Sequence, residues 1–204
     1  MRITYYDLET TGLDPVRNDI IQVALATFDN DKCVRSEVMH FFYEGMTHSS
    51  PEALEKHGMT YEYLSQFKDE FERNCHRTFA FLANGRVCGF NNHMFDDKFI
   101  SVWLNRNHAP DITFKESIDV MKLALPIVNK QRISLLNLRK HFNITDDDVN
   151  AACKEWFGTE GQAHLAHFDV AATRLCHLKE IEIIEEANKK VNAEDISSLA
   201  RLCF

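Results

Sequence analysis

Apolar positions fall into short runs before they fall into helical stripes. Ile3 to Tyr6 reads as a brief strand. Gly12 to Asp19 (GLDPVRND) is turn chemistry, with a glycine, an Asp-Pro step and an Asn-Asp step. IIQVALATFD from Ile20 is apolar and partly alternating, which predicts a second strand. Asp29 to Lys32 is a tight turn, and VRSEVMHFFY from Val34 alternates as a third strand. Three strands joined by short turns predict an antiparallel meander.

After the meander the period changes. Ser50-Pro51-Glu52 supplies an N-cap, a first-turn proline and a first-turn acid for a short helix that stops near Gly58. Phe71, Cys75, Phe79 and Leu82 recur at helical spacing in a segment from Asp69 to Gly85. RVCGF (Arg86 to Phe90) reads as a fourth strand, and FDDKFISVWLNRN from Phe95 as a helix. SIDVMKLALPIV and SLLNLRKHF read as two more helices, DDDVNAACKEWFG (Asp146 to Gly158) as a further short one, and the last long helix spans about His164 to Lys190. No repeat or linker interrupts the chain, so residues 1–190 are expected to form one domain of mixed sheet and packed helices. In residues 191–204, Ile196, Leu199 and Leu202 at helical spacing predict an extension packed on the same domain, with a docking or dimer surface as the alternative.

Composition narrows the setting. The 204 residues suffice for one sizeable core, and 45% hydrophobic with 26% charged is globular. A formal charge of −8 argues against broad sequence-independent nucleic-acid binding, which needs excess Lys and Arg. It leaves room for an enzyme that grips a chain end through metal ions. Six cysteines without a C-x-x-C pair predict reduced thiols and a cytoplasmic, reducing compartment. No signal peptide or membrane-length apolar run is present, so no membrane association is expected.

The chemistry concentrates in acids. Asp7 and Glu9 lie two apart at the end of an apolar strand, so both project to one face and repel unless something positive intervenes. At the next candidate helix, Asp96 shares a face with Phe99, Ile100 and Trp103 and should point inward, where a bare carboxylate is costly. Asp97 shares a face with Lys98 and Ser101 and is expected in solvent. Asp169 lies on the last helix among Ala166, Ala172 and Thr173, small neighbours that allow close approach to a sheet, and His164 precedes it by five residues. A neutral histidine paired with a helical acid suits a general base. Lys130, Arg132, Arg139 and Lys140 read as solvated helix ends, with a grip on a substrate strand as the alternative.

Three segments together resemble the DnaQ-like 3′–5′ exonucleases. DLETTGL resembles their D-x-E-T-T-G motif, NHMFDDKFI the N-x-x-F-D-x-x-F-[LI] motif through Asn92, Phe95 and Asp96, and HLAHFD the H-x-A-x-x-D motif through His164, Ala166 and Asp169. Histidine five residues before the last Asp marks the DEDDh subclass. The resemblance implies a ribonuclease H-like α/β fold: a mixed five-stranded sheet with an antiparallel N-terminal meander and helices on both faces. It also implies Asp7, Glu9, Asp96 and Asp169 as ligands of two Mg²⁺ (or Mn²⁺) ions, with His164 as the base. Hard cations of this kind prefer oxygen ligands, and a pair of them can stabilise the attacking and leaving oxygens of a phosphodiester. The matched motifs carry Asn92 and Phe95 over as substrate contacts, and a His-Gly-Met-Thr run brings His57 and Met59 to the terminal nucleotide. Thr10, Thr11, Gly12 and Leu13 are expected to meet that nucleotide, Gly12 by close backbone approach and Leu13 by wedging against the base.

The expected partners are 3′ ends of single-stranded DNA or RNA and a polymerase or replication protein, with monomer and homodimer both open. DNA is the leading substrate and an exoribonuclease the runner-up. A non-catalytic adaptor is disfavoured by an intact set of Asp7, Glu9, Asp96, His164 and Asp169.

Overall fold

A computed structural model describes residues 2–83, 85–106 and 113–202, excepting the side chains of Leu104 and of residues 191–202. The meander forms as the alternation predicts: β1 (Arg2–Thr10), β2 (Ile20–Asp29) and β3 (Lys32–His40) pair antiparallel. β1 continues past the apolar run, so Asp7 and Glu9 are strand residues, opposite Ala24 and Gln22 of β2. β4 (Arg86–Gly89) joins the free side of β1 in parallel, and β5 (Glu116–Asp119) joins β4 in parallel. The order β3-β2-β1-β4-β5 puts β1 at the centre. This is the mixed five-stranded sheet that the resemblance implied.

β5 corrects one expectation. Ser117-Ile118-Asp119 was expected to open a helix, but these residues are strand, and α5 (Val120–Val128) starts directly after them with the Asp119 carboxylate capping Lys122 N–H. A four-residue strand running straight into a helix leaves no period of its own to read.

The other helices are α1 (Pro51–His57), α2 (Tyr61–Leu64), α3 (Phe71–Leu82), α4 (Asp96–Arg106), α6 (Leu135–His141), α7 (Asp146–Phe157) and α8 (Ala166–Leu202). In α1 the Ser50 side chain accepts from Ala53 N–H, and Gly58 closes the helix at φ 68°, a left-handed conformation that glycine adopts without strain. α3 begins at Phe71, the first residue of its stripe, because residues 65–70 before it form a 3-10 segment. The expectation that residues 191–204 pack on the same domain concerns side chains outside the described residues. No described helix is long and apolar enough to cross a membrane.

Helices cover both faces. On one, Tyr6, Leu8, Val23 and Leu25 pack against Phe81 and Leu82 of α3 and Phe99, Ile100 and Trp103 of α4. On the other, Tyr5, Ala24 and Ala26 meet Val120 of α5, Leu138 of α6 and Ala166 and Val170 of α8. The alanines let α8 lie directly against β1 and β2, which brings its first turn to the carboxylates of β1.

Trp103 is fully buried, edge-on to Phe41 with ring centroids 5.0 Å apart. Trp103→Ala is expected to destabilise the fold by about 3–5 kcal/mol in a chemical-denaturation titration. A loss under about 1 kcal/mol would contradict this core assignment.

Candidate active site

Alternation along β1 puts Asp7 and Glu9 on the face that α8 covers, and the helix adds Asp169. One carboxylate oxygen from each of the three lies within 4.8 Å of the others. Two contacts seat α8 there. Ala166 N–H donates to Gln22 Oε1 at 2.9 Å, and Gln22 is the cross-strand partner of Glu9. His164 N–H donates to Asp169 Oδ2 at 3.2 Å, with His164 held at φ 66°. That left-handed conformation is sparsely populated by residues other than glycine, and such strain clusters at functional sites. Asp96 enters from the first residue of α4, only 4% exposed, where Leu8 N–H and its own backbone N–H donate to its carboxylate.

The carboxylates are electrostatically incompatible without a cation. Burial, then Asp169, Asp96 and Glu9, all push Asp7 well above the usual carboxylate range, with nothing opposing. Burial, then Asp169 and Asp96, raise Glu9 to about 9, relieved only in part by Lys56. Burial raises Asp96 to about 8, against its backbone hydrogen bonds and with Asp97 adding to the rise. Burial raises Asp169 to about 6, against the His164 N–H and Arg139. An all-oxygen set that repels itself fits hard divalent cations such as Mg²⁺ or Mn²⁺, and among the described residues no other group of three ligand side chains is so placed.

The acids face a cleft of about 610 Å³. Thr10, Gly12, Leu13, His57, Phe95 and His164 line it with them. Leu13 is 82% exposed at its rim. His57 is buried and its Nδ1 accepts Met59 N–H at 3.0 Å. Burial, then His164, lowers its pKa to about 4. The ring is therefore neutral with its proton on Nε2, which has no partner among the described residues. Burial, then Lys56, also lowers His164 from its ordinary value, which favours the neutral imidazole. The glycine at position 12 has an internal reason as well, since a Cβ there would meet Asn18 Oδ1 at 2.7 Å.

Three expected substrate contacts do not line the cleft. Thr11 is buried, its Oγ accepting Asp19 N–H at 2.9 Å. Met59 packs in a small core with Ile21, Phe42 and Leu64. Asn92 is fully buried and donates to Asp97 Oδ1 at 3.1 Å and Ser117 Oγ at 2.8 Å. Asp97 is itself a correction. Expected in solvent, it is half-buried and accepts from Tyr6 Oη, Asn92 Nδ2 and Ser117 Oγ. Helical phase described α4 alone, while the residues that enclose Asp97 come from β1, β5 and the turn before α4. Arg139, read as a solvated helix end, is buried, paired with Asp146 and over the Phe168 ring at 5.1 Å. His167, one turn from His164, is buried and donates from Nε2 to Glu160 O at 3.1 Å.

Lys56 was not singled out in the sequence, although it directly precedes His57, and it lines the cleft with Arg132. Both are exposed cations without an ion pair among the described residues.

Comparison with known proteins shows the family of the chain. The RNase T family model, described as an exonuclease, matches residues 4–174. A DNA polymerase III subunit epsilon of Rickettsia prowazekii is 28% identical over 98% of this chain and 88% of its own length. A PolC-type DNA polymerase III of Mycoplasmopsis pulmonis is 26% identical over 96% of this chain but only 14% of its own length. This chain thus spans a small part of the PolC-type relatives it matches. Among solved structures, E. coli exonuclease I in a complex with single-stranded DNA superposes with a TM-score of 0.68 at 20% identity, over 88% of this chain and 40% of that one. That likeness shows a shared fold.

The raised carboxylates make the metal-free fold pH-sensitive. Between about pH 4 and pH 9 these four carboxylates hold more protons in the folded protein than in the unfolded chain, so their contribution to stability falls as pH rises through that window. A divalent cation offsets the repulsion and binds best where the acids are ionised. Mg²⁺ is therefore expected to raise Tm more at the alkaline end of this window than at the acid end, reversibly with chelator, in thermal unfolding scans. An equal shift at both ends would contradict the assignment.

Proposed function

The chain belongs to the RNase T exonuclease family, and on that premise we propose that it is a metal-dependent 3′–5′ exonuclease releasing nucleoside monophosphates from single-stranded DNA ends. The observation that carries the reading is the convergence of Asp7, Glu9 and Asp169 within 4.8 Å, with His164 on the same cleft. Bound divalent cations would supply the positive charge that stabilises the attacking and leaving oxygens of the phosphodiester.

The chain's own residues do the rest. Asp7, Glu9 and Asp169 would hold the cation that activates the attacking water, and Asp7 with Asp96, directly or through water, would hold a second. His164, neutral and on the cleft, takes the proton from the attacking water. Gln22 and the strained His164 backbone act as positioning groups, since they fix the first turn of α8 against Glu9 and Asp169. Leu13 at the rim wedges against the terminal base, and His57 Nε2–H donates into the cleft. Lys56 and Arg132 offset phosphate charge along the walls. Apolar contact of this kind tolerates any base. The 3′–5′ polarity and the DNA preference are supported by the family and by the relatives' names, which also make a replicative polymerase the proposed partner. The five described cysteines are free thiols, in keeping with a reducing, cytoplasmic setting.

Asp7→Asn is expected to abolish Mg²⁺-dependent shortening of a 5′-labelled single-stranded oligonucleotide while circular dichroism stays unchanged. Wild-type turnover by this variant would sink the site assignment. His164→Ala is expected to lower kcat by about 10²–10⁴-fold with little change in KM. Matched DNA and RNA oligonucleotides decide the substrate class, with faster DNA turnover expected and faster RNA turnover contradicting the preference.

A further inference from the structure

At the opposite end of the sheet from the carboxylates lies a second cavity, about 680 Å³ in volume. It opens between the start of β1, the ends of β2 and β3 that flank their turn, and the end of α3. Among the described residues its lining includes Arg2, Arg35, Arg86 and Lys115 and no Asp or Glu. In a chain of net charge −8 that is an unusual concentration.

Neighbouring acids do not neutralise it. Arg2 pairs with Asp29 at 3.5 Å and Arg86 with Glu116 at 3.0 Å. Arg35 and Arg77 share Glu37, at 3.2 and 2.6 Å. Lys115 has no acidic partner among the described residues. Among the described residues, these contacts and Lys115 set five cations against three carboxylates. The Arg2 and Arg86 pairs lie near the surface, where such pairs contribute little, while Glu37 is only 16% exposed and keeps Arg35 in place beside Arg77.

The floor is polar and buried. Thr4 Oγ and Thr27 Oγ lie 2.9 Å apart, both more than nine-tenths buried. That contact uses one of the two hydroxyl hydrogens, whichever threonine donates, and leaves the other for an acceptor in the cavity. Beside the floor is an apolar wall of Val34, Ala80 and Phe81. The Arg35 guanidinium rests on the Phe81 ring at 3.6 Å, which fixes its plane. A fixed guanidinium plane is a stacking platform for a nucleobase as well as a phosphate fork. The volume falls within the range of small-molecule sites and exceeds what a bare phosphate fills.

We propose that this cavity is a second, non-catalytic binding site for a nucleoside phosphate, its phosphate held by Lys115, Arg86 and the threonine floor and its base against Arg35 and the apolar wall. The site shares no lining residue with the catalytic cleft and stands whether or not the catalytic reading does.

The test is calorimetric titration of the full chain in EDTA with adenosine 5′-monophosphate, and separately with inorganic phosphate. One site is expected for the nucleotide, with affinity at least about tenfold above that for inorganic phosphate. Arg35→Gln combined with Lys115→Gln should weaken it by about tenfold or more, with thermal unfolding confirming a folded variant. Asp7→Asn should leave it unchanged, and the double variant should keep wild-type activity on a single-stranded oligonucleotide. The proposal is overturned if the nucleotide does not bind, if inorganic phosphate binds equally well, if the double variant binds like wild type, or if Asp7→Asn abolishes binding.

Discussion

Mutual repulsion among half-buried carboxylates is the constraint around which this molecule is arranged. Asp7, Glu9 and Asp169 present oxygens within 4.8 Å of one another, and every neighbour of Asp7 that affects its proton raises its pKa. Such a cluster is unfavourable in a fold selected for stability alone. The surrounding structure holds it in place without neutralising it. Backbone N–H groups serve Asp96 and Asp169, and the nearest exposed lysine only partly relieves Glu9.

Each layer contributes to that arrangement. β1 is central, tied to β4 at Thr4 and Tyr5 and to β2 along its whole length, so its pairing with β2 holds Asp7 and Glu9 on one face. Small residues on β2 and α8 let the helix close on the sheet, and Gln22 takes the first free N–H of α8 across the gap to β2. The opposite face anchors α4 through Phe99, Ile100 and Trp103, which presents Asp96 at its first turn. Aromatic packing on one face and close alanine packing on the other thus serve one end of one strand.

Much of this was legible in the chain. The apolar, partly alternating run marked β2 from its first residue to its last, Ser50-Pro51 and Gly58 marked both ends of α1, and helical phase turned Asp96 inward. What escaped depended on partners distant in sequence. β5 is too short to show a period and runs directly into α5. Asp97 is enclosed by Tyr6 and Ser117 as well as Asn92, two of which lie on other strands. Asn92 and Met59 sit in matching motifs but turn toward the interior, where Asn92 ties the start of α4 to β5. The basic cavity collects residues from widely separated segments, so no local pattern announced it.

The central claim is that the four carboxylates are a cation site rather than an accident of packing. Crystals of the full chain soaked in Mn²⁺ and measured at the manganese absorption edge test it directly. The account predicts anomalous peaks among the oxygens of Asp7, Glu9 and Asp169, with a second ion toward Asp96. Saturating Mn²⁺ with no anomalous density at these carboxylates would contradict it.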